Sequence, residues 1–497
     1  MSAAGTERVR VDAWALLLVG AVATAVVARL SFLPAPFRND AGIYAYMGKV
    51  LATGGRLYQD FWDTKLPTVG VWTAPLYQLF GAHWAGWVIV QAALGVGAGF
   101  VLARAARRFV GPNAYLPTLL FMLVQFNQTR MTMTGFQLET VQGFFAACAA
   151  VCAMAALRER QRWAWPVLVG LLAAWGSMGK PTGLAVAGAF GVTALVAPGA
   201  DLRTRLRWAV GVTLGAAVPV AAVALWLYRS AMAPDLPEVM RQIGLYSSGT
   251  PWRQIFAIKN ELFVALILLP LGIRWVLDFR HPVSDRANRA TLLFAFAWLV
   301  FEAVGVAVQR RTYAYHLLVL VPPAALLYGL MPLKARPVSV AASLLPTLAL
   351  SMLIAGQGIV KPWFPFTPAI CQYVVDHTQP GDSVWADQSA ALFLLTDRAP
   401  GARLCHSFYF VNHDGAPAEF GDWVLSDWDL RKPKYILLNV KWPDVAEGTA
   451  RGTPGLSDNP QRRDAYLAAW KRIGQYVNDN YEVETEIEGT LFYRRRS

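Results

Sequence analysis

The chain has 497 residues, 55% of them hydrophobic and only 15% charged, with 19 Trp and a mean hydropathy of +0.36, a composition that excludes an ordinary soluble domain and a disordered chain. The formal charge of +13 does not argue for nucleic acid, because much of the Arg falls in short clusters between apolar runs, where it orients spans instead of forming a binding stripe. These features describe an α-helical polytopic membrane protein.

The first apolar run, residues 12 to 32, is about as long as a hydrocarbon core of roughly 30 Å requires. No small-residue cleavage site follows it, so it reads as a retained first span. Further runs at 84–103, 114–127, 139–157, 164–179, 183–197, 208–228, 261–277, 290–308, 316–331 and 338–356 predict about eleven transmembrane helices, some short enough to need a polar extension. Arginines and lysines mark every second boundary: Arg8 and Arg10, then Arg104, Arg107 and Arg108, then Arg158, Arg160 and Arg162, then Arg203, Arg205 and Arg207, then Arg274, Arg280, Arg286 and Arg289, then Lys334 and Arg336. That alternation puts the N-terminus and those loops in the cytoplasm. An odd number of spans then places residues 358–497 outside, beyond a transmembrane domain of residues 1–357.

The outer portion changes character. Short apolar runs ("DSVWAD", "KYILLNV", "TLFYRRR") separated by Pro, Gly and Asp, together with the amphipathic "RDAYLAAWKRIGQYVNDNY", predict an extracytoplasmic α/β domain with its own core. Cys371 and Cys405 in this portion form either an extracellular disulfide or two buried thiols, and the four cysteines fit no zinc spacing.

Two outer loops are long, residues 33–83 and 229–260. The first holds the most polar stretch of its neighbourhood, "FRNDAGIYAYMGKVLATGGRLYQDFWDTKLP". In it Asp40 opens a helix-length segment with apolar positions at Ile43, Met47, Val50 and Leu51 and a Gly54–Gly55 stop, which predicts a short helix along the membrane surface. Asp40 is there either as an N-cap or as a working acid. Lys65, just ahead of Pro67, sits at headgroup depth, either snorkelling or binding an anion. The second loop, with Tyr228, Tyr246, Trp252 and Arg253, is a lid or an ordinary connector.

Other polar residues fall at the outer ends of spans: Glu139 at the start of the fourth, with Arg130 one loop away; Lys180 in "GSMGKPTG"; and Arg310, Arg311, Tyr313, Tyr315 and His316 in "VQRRTYAYHLL". Each has a plain explanation, as a first-turn acid or an interfacial anchor. Acids and cations gathered on one membrane face nevertheless suit chemistry on an anionic, lipid-attached molecule.

This layout (a first span, an outer loop with an acid and a surface helix, the lysine and proline of "TKLP", an acid opening the fourth span, the "VPPAAL" helix start, an outer C-terminal domain) resembles the GT-C glycosyltransferases of the family 39 type, over residues 10–357. The resemblance implies transfer of a sugar, with inversion, from a polyprenyl-phosphate donor to a lipid, glycan or protein acceptor, at the outer face of a bacterial inner membrane. It implies catalytic roles for Asp40 and Glu139, Asp40 as general base or acceptor-orienting acid. It places Lys65, Arg310, Arg311, Tyr315, His316 and Lys180 around the donor phosphate. Glu139 stands where the family usually has Asp. Thr64 stands where some relatives carry a metal-binding Glu, so neither metal nor cofactor is predicted, although Asp63 is close enough to leave that question open.

Two other readings use the same residues. A transporter or flippase of an anionic lipid-linked sugar would place charges at mid-membrane, where Glu302 is the main exception to apolar centres. A lipid-linked glycan polymerase or ligase shares the donor chemistry.

Overall fold

The computed structural model describes residues 12–34, 36–37, 40–128, 136–197, 199–248, 258–278, 286–309, 313–331, 336–360, 367–386, 390–405, 417–439, 444 and 460–497. In chain order the helices are α1 (Ala13–Leu30), α2 (Asp40–Ala52), α3 (Thr68–Phe80), α4 (Trp84–Phe109), α5 (Tyr115–Gln125), α6 (Leu138–Arg158), α7 (Ala164–Ser177), α8 (Ala185–Val196), α9 (Leu202–Arg229), α10 (Leu236–Ser248), α11 (Ile258–Asp278), α12 (Arg286–Val308), α13 (Val321–Leu330) and α14 (Pro337–Val360). All eleven apolar stretches are helical. Among the described residues six helices, α1, α4, α6, α9, α12 and α14, are long and apolar enough to cross a membrane. The others are shorter or, like α11, apolar over a shorter stretch (Val264–Leu277), and 3-10 segments at Pro181–Leu184 and Ala314–Leu320 lead into α8 and α13.

Lipid contact explains the outward faces. Leu16, Val19, Val22 and Val26 of α1, and Val210, Leu214 and Val218 of α9, are exposed. Inside the bundle, where lipid offers no hydrogen bonds, a freed backbone group is met by protein side chains. Pro270 in α11 has no N–H to donate, which frees the Leu266 carbonyl. Gln125 Nε2 donates to that oxygen at 3.0 Å, and the Thr347 hydroxyl donates to it at 3.4 Å. At the opposite end from α2, the fully buried Arg274 lies 4.5 Å over the Tyr328 ring and donates to the Tyr328 and Met331 carbonyls, closing the end of α13.

Helices α7 and α9 meet backbone to backbone. A Cβ on Gly170 would collide with the Val212 carbonyl, and one on Gly215 with the Val167 carbonyl. The pair is a small-residue crossing of the kind that stabilises helices in lipid. Gly215→Ala is therefore expected to destabilise the protein by about 1–3 kcal/mol or more, the usual range for overpacking. A lowered melting temperature in detergent with no change in transport or turnover per folded molecule is the outcome that checks it.

The outer helix α2 differs from a half-exposed surface helix. Ala41 to Gly48 are all buried. One side packs on α3 so closely that a Cβ on Gly48 would lie 2.6 Å from the Thr73 carbonyl oxygen. The other side is covered by the C-terminal region, where Phe393 sits with its ring centroid 5.6 Å from Tyr46. The apolar positions read from the sequence are there, but two protein layers replace the membrane and water.

The C-terminal region continues with α15 (Pro368–His377), β1 (Ser383–Ala386), α16 (Ala391–Leu395), β2 (Ala399–Pro400), α17 (Pro417–Arg431), β3 (Tyr435–Leu438), α18 (Pro460–Asn480), β4 (Tyr481–Ile487) and β5 (Thr490–Arg495). The sheet order is β2-β1-β3-β5-β4, parallel from β2 to β3 and antiparallel through β5 and β4. Buried Trp385, Trp428 and Trp470 fill its core, and no disulfide joins Cys371 to Cys405. That core does not end at the domain: Phe37, Tyr46, Phe61 and Trp62 of the first outer loop belong to the same apolar cluster.

Candidate functional site

Four separate parts of the chain bring polar side chains to one end of the bundle, the end opposite the arginine-rich turns. Asp40 supplies the first turn of α2. Its Oδ2 accepts hydrogen bonds from the Tyr315 hydroxyl at 2.8 Å and the Tyr44 hydroxyl at 3.3 Å, and its Oδ1 lies 3.9 Å from Lys65 Nζ. Side chains thus occupy the carboxylate; among the described residues no helix N–H donates to it, which sets aside the N-cap alternative. Tyr44 follows Asp40 by four residues and shares its helix face, so i to i+4 spacing was the signal that pointed to it.

Lys65 is held by two acids. Asp63, 3% exposed, accepts from the Lys65 backbone N–H at 3.1 Å and lies 3.4 Å from Nζ through the same Oδ1. The Tyr58 hydroxyl donates to the Lys65 carbonyl at 2.8 Å, and the Lys65 ammonium lies 6.0 Å from the Tyr44 ring centroid.

The second group stands on α6 and the turn after α7. Glu139, in the first turn of α6, is 1% exposed, and its Oε1 accepts a hydrogen bond from Lys180 Nζ. His316 Nε2 is 3.8 Å from the same oxygen, while Oε2 has no hydrogen-bond partner among the described residues. A buried carboxylate with an unsatisfied oxygen is costly, and such costs collect at working sites. Lys180 Nζ also lies 5.4 Å from the Tyr315 ring centroid, and Tyr315 stacks on Tyr313 at 5.5 Å with its plane tilted only 2°. Tyr315 is the link between the groups, since it donates to Asp40 and its face meets Lys180.

The charge balance sets the protonation state of Asp40. Burial pushes its carboxyl up, but the positive charge of Lys65, the Tyr315 hydrogen bond, Lys180 and His316 together outweigh burial and hold it below the ordinary aspartate value. The result is an ionised carboxylate, a fifth exposed, facing two ammonium groups. Such a pocket can take a proton from a hydroxyl and can hold a phosphate ester.

Of the residues singled out in the sequence, Asp40, Lys65, Glu139, Lys180, Tyr315 and His316 converge here. Arg130, Arg310, Arg311, Trp252 and Arg253 lie outside the described residues. Glu302 stands apart on α12: it is buried, and its Oε1 accepts from Trp298 Nε1 at 3.1 Å. Among the described residues no three His, Cys, Asp or Glu side chains are grouped as metal ligands.

Helical bundle, outer loop helices and appended sheet together form a GT-C glycosyltransferase fold, and the resemblance read from the sequence is borne out. Residues 65–226 match the family described as dolichyl-phosphate-mannose-protein mannosyltransferase. The structure is similar to ArnT from Cupriavidus metallidurans bound to undecaprenyl phosphate, with a TM-score of 0.64 at 16% identity, covering 97% of this chain and 98% of that one. It is also similar to the oligosaccharyltransferase AglB from Archaeoglobus fulgidus in complex with an inhibitory peptide and a dolichol-phosphate, with a TM-score of 0.51 at 13% identity, covering 97% of this chain and 74% of that one. No curated protein sequence matches the chain. The chain thus combines several apolar helices with a GT-C-type fold, and its family match covers residues 65–226.

Proposed function

We propose that the chain transfers a sugar from a polyprenyl-phosphate-linked donor to a hydroxyl-bearing acceptor at the outer face of a bacterial inner membrane. The observation that carries this reading is the convergence of Asp40, Lys65, Lys180 with Glu139, and Tyr315 with His316 in one pocket at the loop end of the helices. The positive-inside distribution of arginine supports an outward-facing site. A donor whose lipid tail stays in the bilayer would present its phosphate near headgroup depth, and the gathering of these side chains at one end of the apolar helices suits that. The lipid phosphates named with the two similar structures support the same donor class.

In this reading the Asp40 carboxylate takes the proton from the acceptor hydroxyl as its oxygen attacks the anomeric carbon. The bond from that carbon to the donor phosphate oxygen breaks on the opposite side, and the electron pair leaves with the polyprenyl phosphate, so the sugar configuration inverts. Lys65, Lys180 and His316 face the phosphate and steady the charge it gains. Glu139 keeps Lys180 in place and balances the pocket before the donor arrives. Arg310 and Arg311 are proposed as further phosphate contacts from the segment that precedes Tyr315. The acceptor is a lipid, a glycan or a protein.

The test is turnover. Purified protein in detergent, given a polyprenyl-phosphate sugar and a membrane extract, is expected to release free polyprenyl phosphate. Lipid scrambling or vesicle uptake with the phosphosugar bond intact would replace this reading with transport. Glu302, the acid that a transport reading would use, stands on α12 apart from this cluster, with Oε1 accepting from Trp298 and Oε2 without a partner among the described residues.

A further inference from the structure

Trp62 stands one residue before Asp63 and three before Lys65, yet its partners come from the other end of the chain. Its indole is 3% exposed, with ring centroids 5.2 Å from Phe420 and 5.5 Å from Trp423, both on α17. Its backbone N–H donates to the Arg403 carbonyl at 2.8 Å. Arg403 is in turn fixed by α17: its backbone N–H donates to Asp427 Oδ2 at 2.7 Å, and its guanidinium makes a two-pronged contact with the same carboxylate, the shorter prong 2.8 Å. Arg431, at the end of α17, donates to the carbonyls of Gln59 at 2.8 Å and Asp60 at 3.3 Å.

From this anchored point the constraint passes to the lysine in a few bonds. Asp63 holds the Lys65 N–H, and Tyr58, in a left-handed conformation with φ of +71°, holds the Lys65 carbonyl. The main chain of Lys65 is therefore gripped on both sides by a loop that is itself gripped by α17. A lysine side chain is long and mobile, so the place where its backbone is fixed decides how far its ammonium group can wander. Displacement of about 1 Å at a reacting centre can cost about a hundredfold in rate.

We propose that Trp62 is a positioning residue through which the C-terminal domain sets the Lys65 ammonium beside Asp40. The inference rests on the functional reading in one respect, that Lys65 receives the phosphate of the lipid donor. It gives the appended domain a task in that reaction without adding a second active site.

The experiment uses the detergent-solubilised full chain and two readouts. Undecaprenyl phosphate is titrated in and its binding followed by native mass spectrometry. In the same preparations, acetylation of Lys65 by acetic anhydride is measured against the exposed Lys432 as internal reference. Trp62→Ala is expected to weaken lipid binding by about tenfold or more and to raise Lys65 labelling severalfold, and Trp62→Phe to restore both, because a smaller ring still fills the slot between Phe420 and Trp423. Lipid binding by Trp62→Ala equal to that of the parent overturns the proposal. If the parent chain itself does not bind the lipid, the functional reading fails and the labelling ratio alone decides, with an unchanged ratio overturning the proposal. Should Trp62→Ala not fold, Arg431→Ala releases Gln59 and Asp60 without opening the aromatic core. It is expected to raise Lys65 labelling in the same direction, and an unchanged ratio there counts against the proposal equally.

Discussion

Asp40→Asn is expected to lower polyprenyl phosphate release by about 100- to 10,000-fold, the range that a general base supplies, with little change in melting temperature. Asparagine keeps the shape of the side chain and an oxygen for the Tyr315 and Tyr44 hydroxyls, which now donate to Asp40. What it loses is the ability to accept a proton. The helix start survives because no described N–H depends on this carboxylate, and Lys65 keeps Asp63 as a counter-ion. If Asp40 acted only as a cap, the opposite pattern would follow: a stability loss of about 1 kcal/mol with turnover retained. Release assays beside thermal melting curves separate the two.

Lys65→Met is expected to cost about 100- to 1,000-fold in release, comparable to removing one preorganised group that stabilises a developing negative charge. It also carries a pH signature. Lys65 is the largest influence opposing burial at Asp40, so without it the Asp40 carboxyl moves up. The sign follows: in the parent chain Asp40 stays ionised to a pH below the ordinary aspartate range, and activity falls only as pH drops through that lowered value. In the variant protonation begins at higher pH, and the acid limb of the residual rate shifts toward neutrality. The same linkage applies to stability. The contribution of ionised Asp40 is fully present above the unfolded value and is lost as pH falls through the folded one; with Lys65 gone the folded value is less depressed, so this contribution is smaller at neutral pH and less of it is lost on acidification. A pH–rate profile whose acid limb does not move would show that Lys65 does not govern Asp40.

The spans were legible because hydrophobic length is local information: a run such as 338–356 carries its own evidence, and the helix Pro337–Val360 contains it. Arginine position along the chain was read as a signal of side, and in the fold the arginine-rich turns and the Asp40 cluster stand at opposite ends of the bundle. Asp40, Lys65, Glu139 and Lys180 stood out as polar groups at span ends, and the fold brings them together. What could not be read was which partners each would take. Tyr315 was expected at a phosphate, and the bond from its hydroxyl to Asp40 was not foreseen. Asp63 was noted only for its nearness to a metal question, and it holds Lys65. The burial of α2 was hidden for a physical reason: its second covering layer comes from residues near 393, and no periodicity within Asp40–Ala52 reports what arrives from 340 residues away.

The shared core of the first outer loop and the C-terminal region has a consequence for how the protein comes into being. Ribosomal synthesis delivers the first outer loop long before α17; Asp60 and Arg431, which bond to each other, are separated by 371 positions. All the membrane helices are therefore in place before residues 58–65 meet α17, since amino-terminal parts generally fold first as the chain emerges. A nascent or prematurely terminated chain would therefore have its membrane helices while residues 58–65 still lacked the partners that α17 supplies.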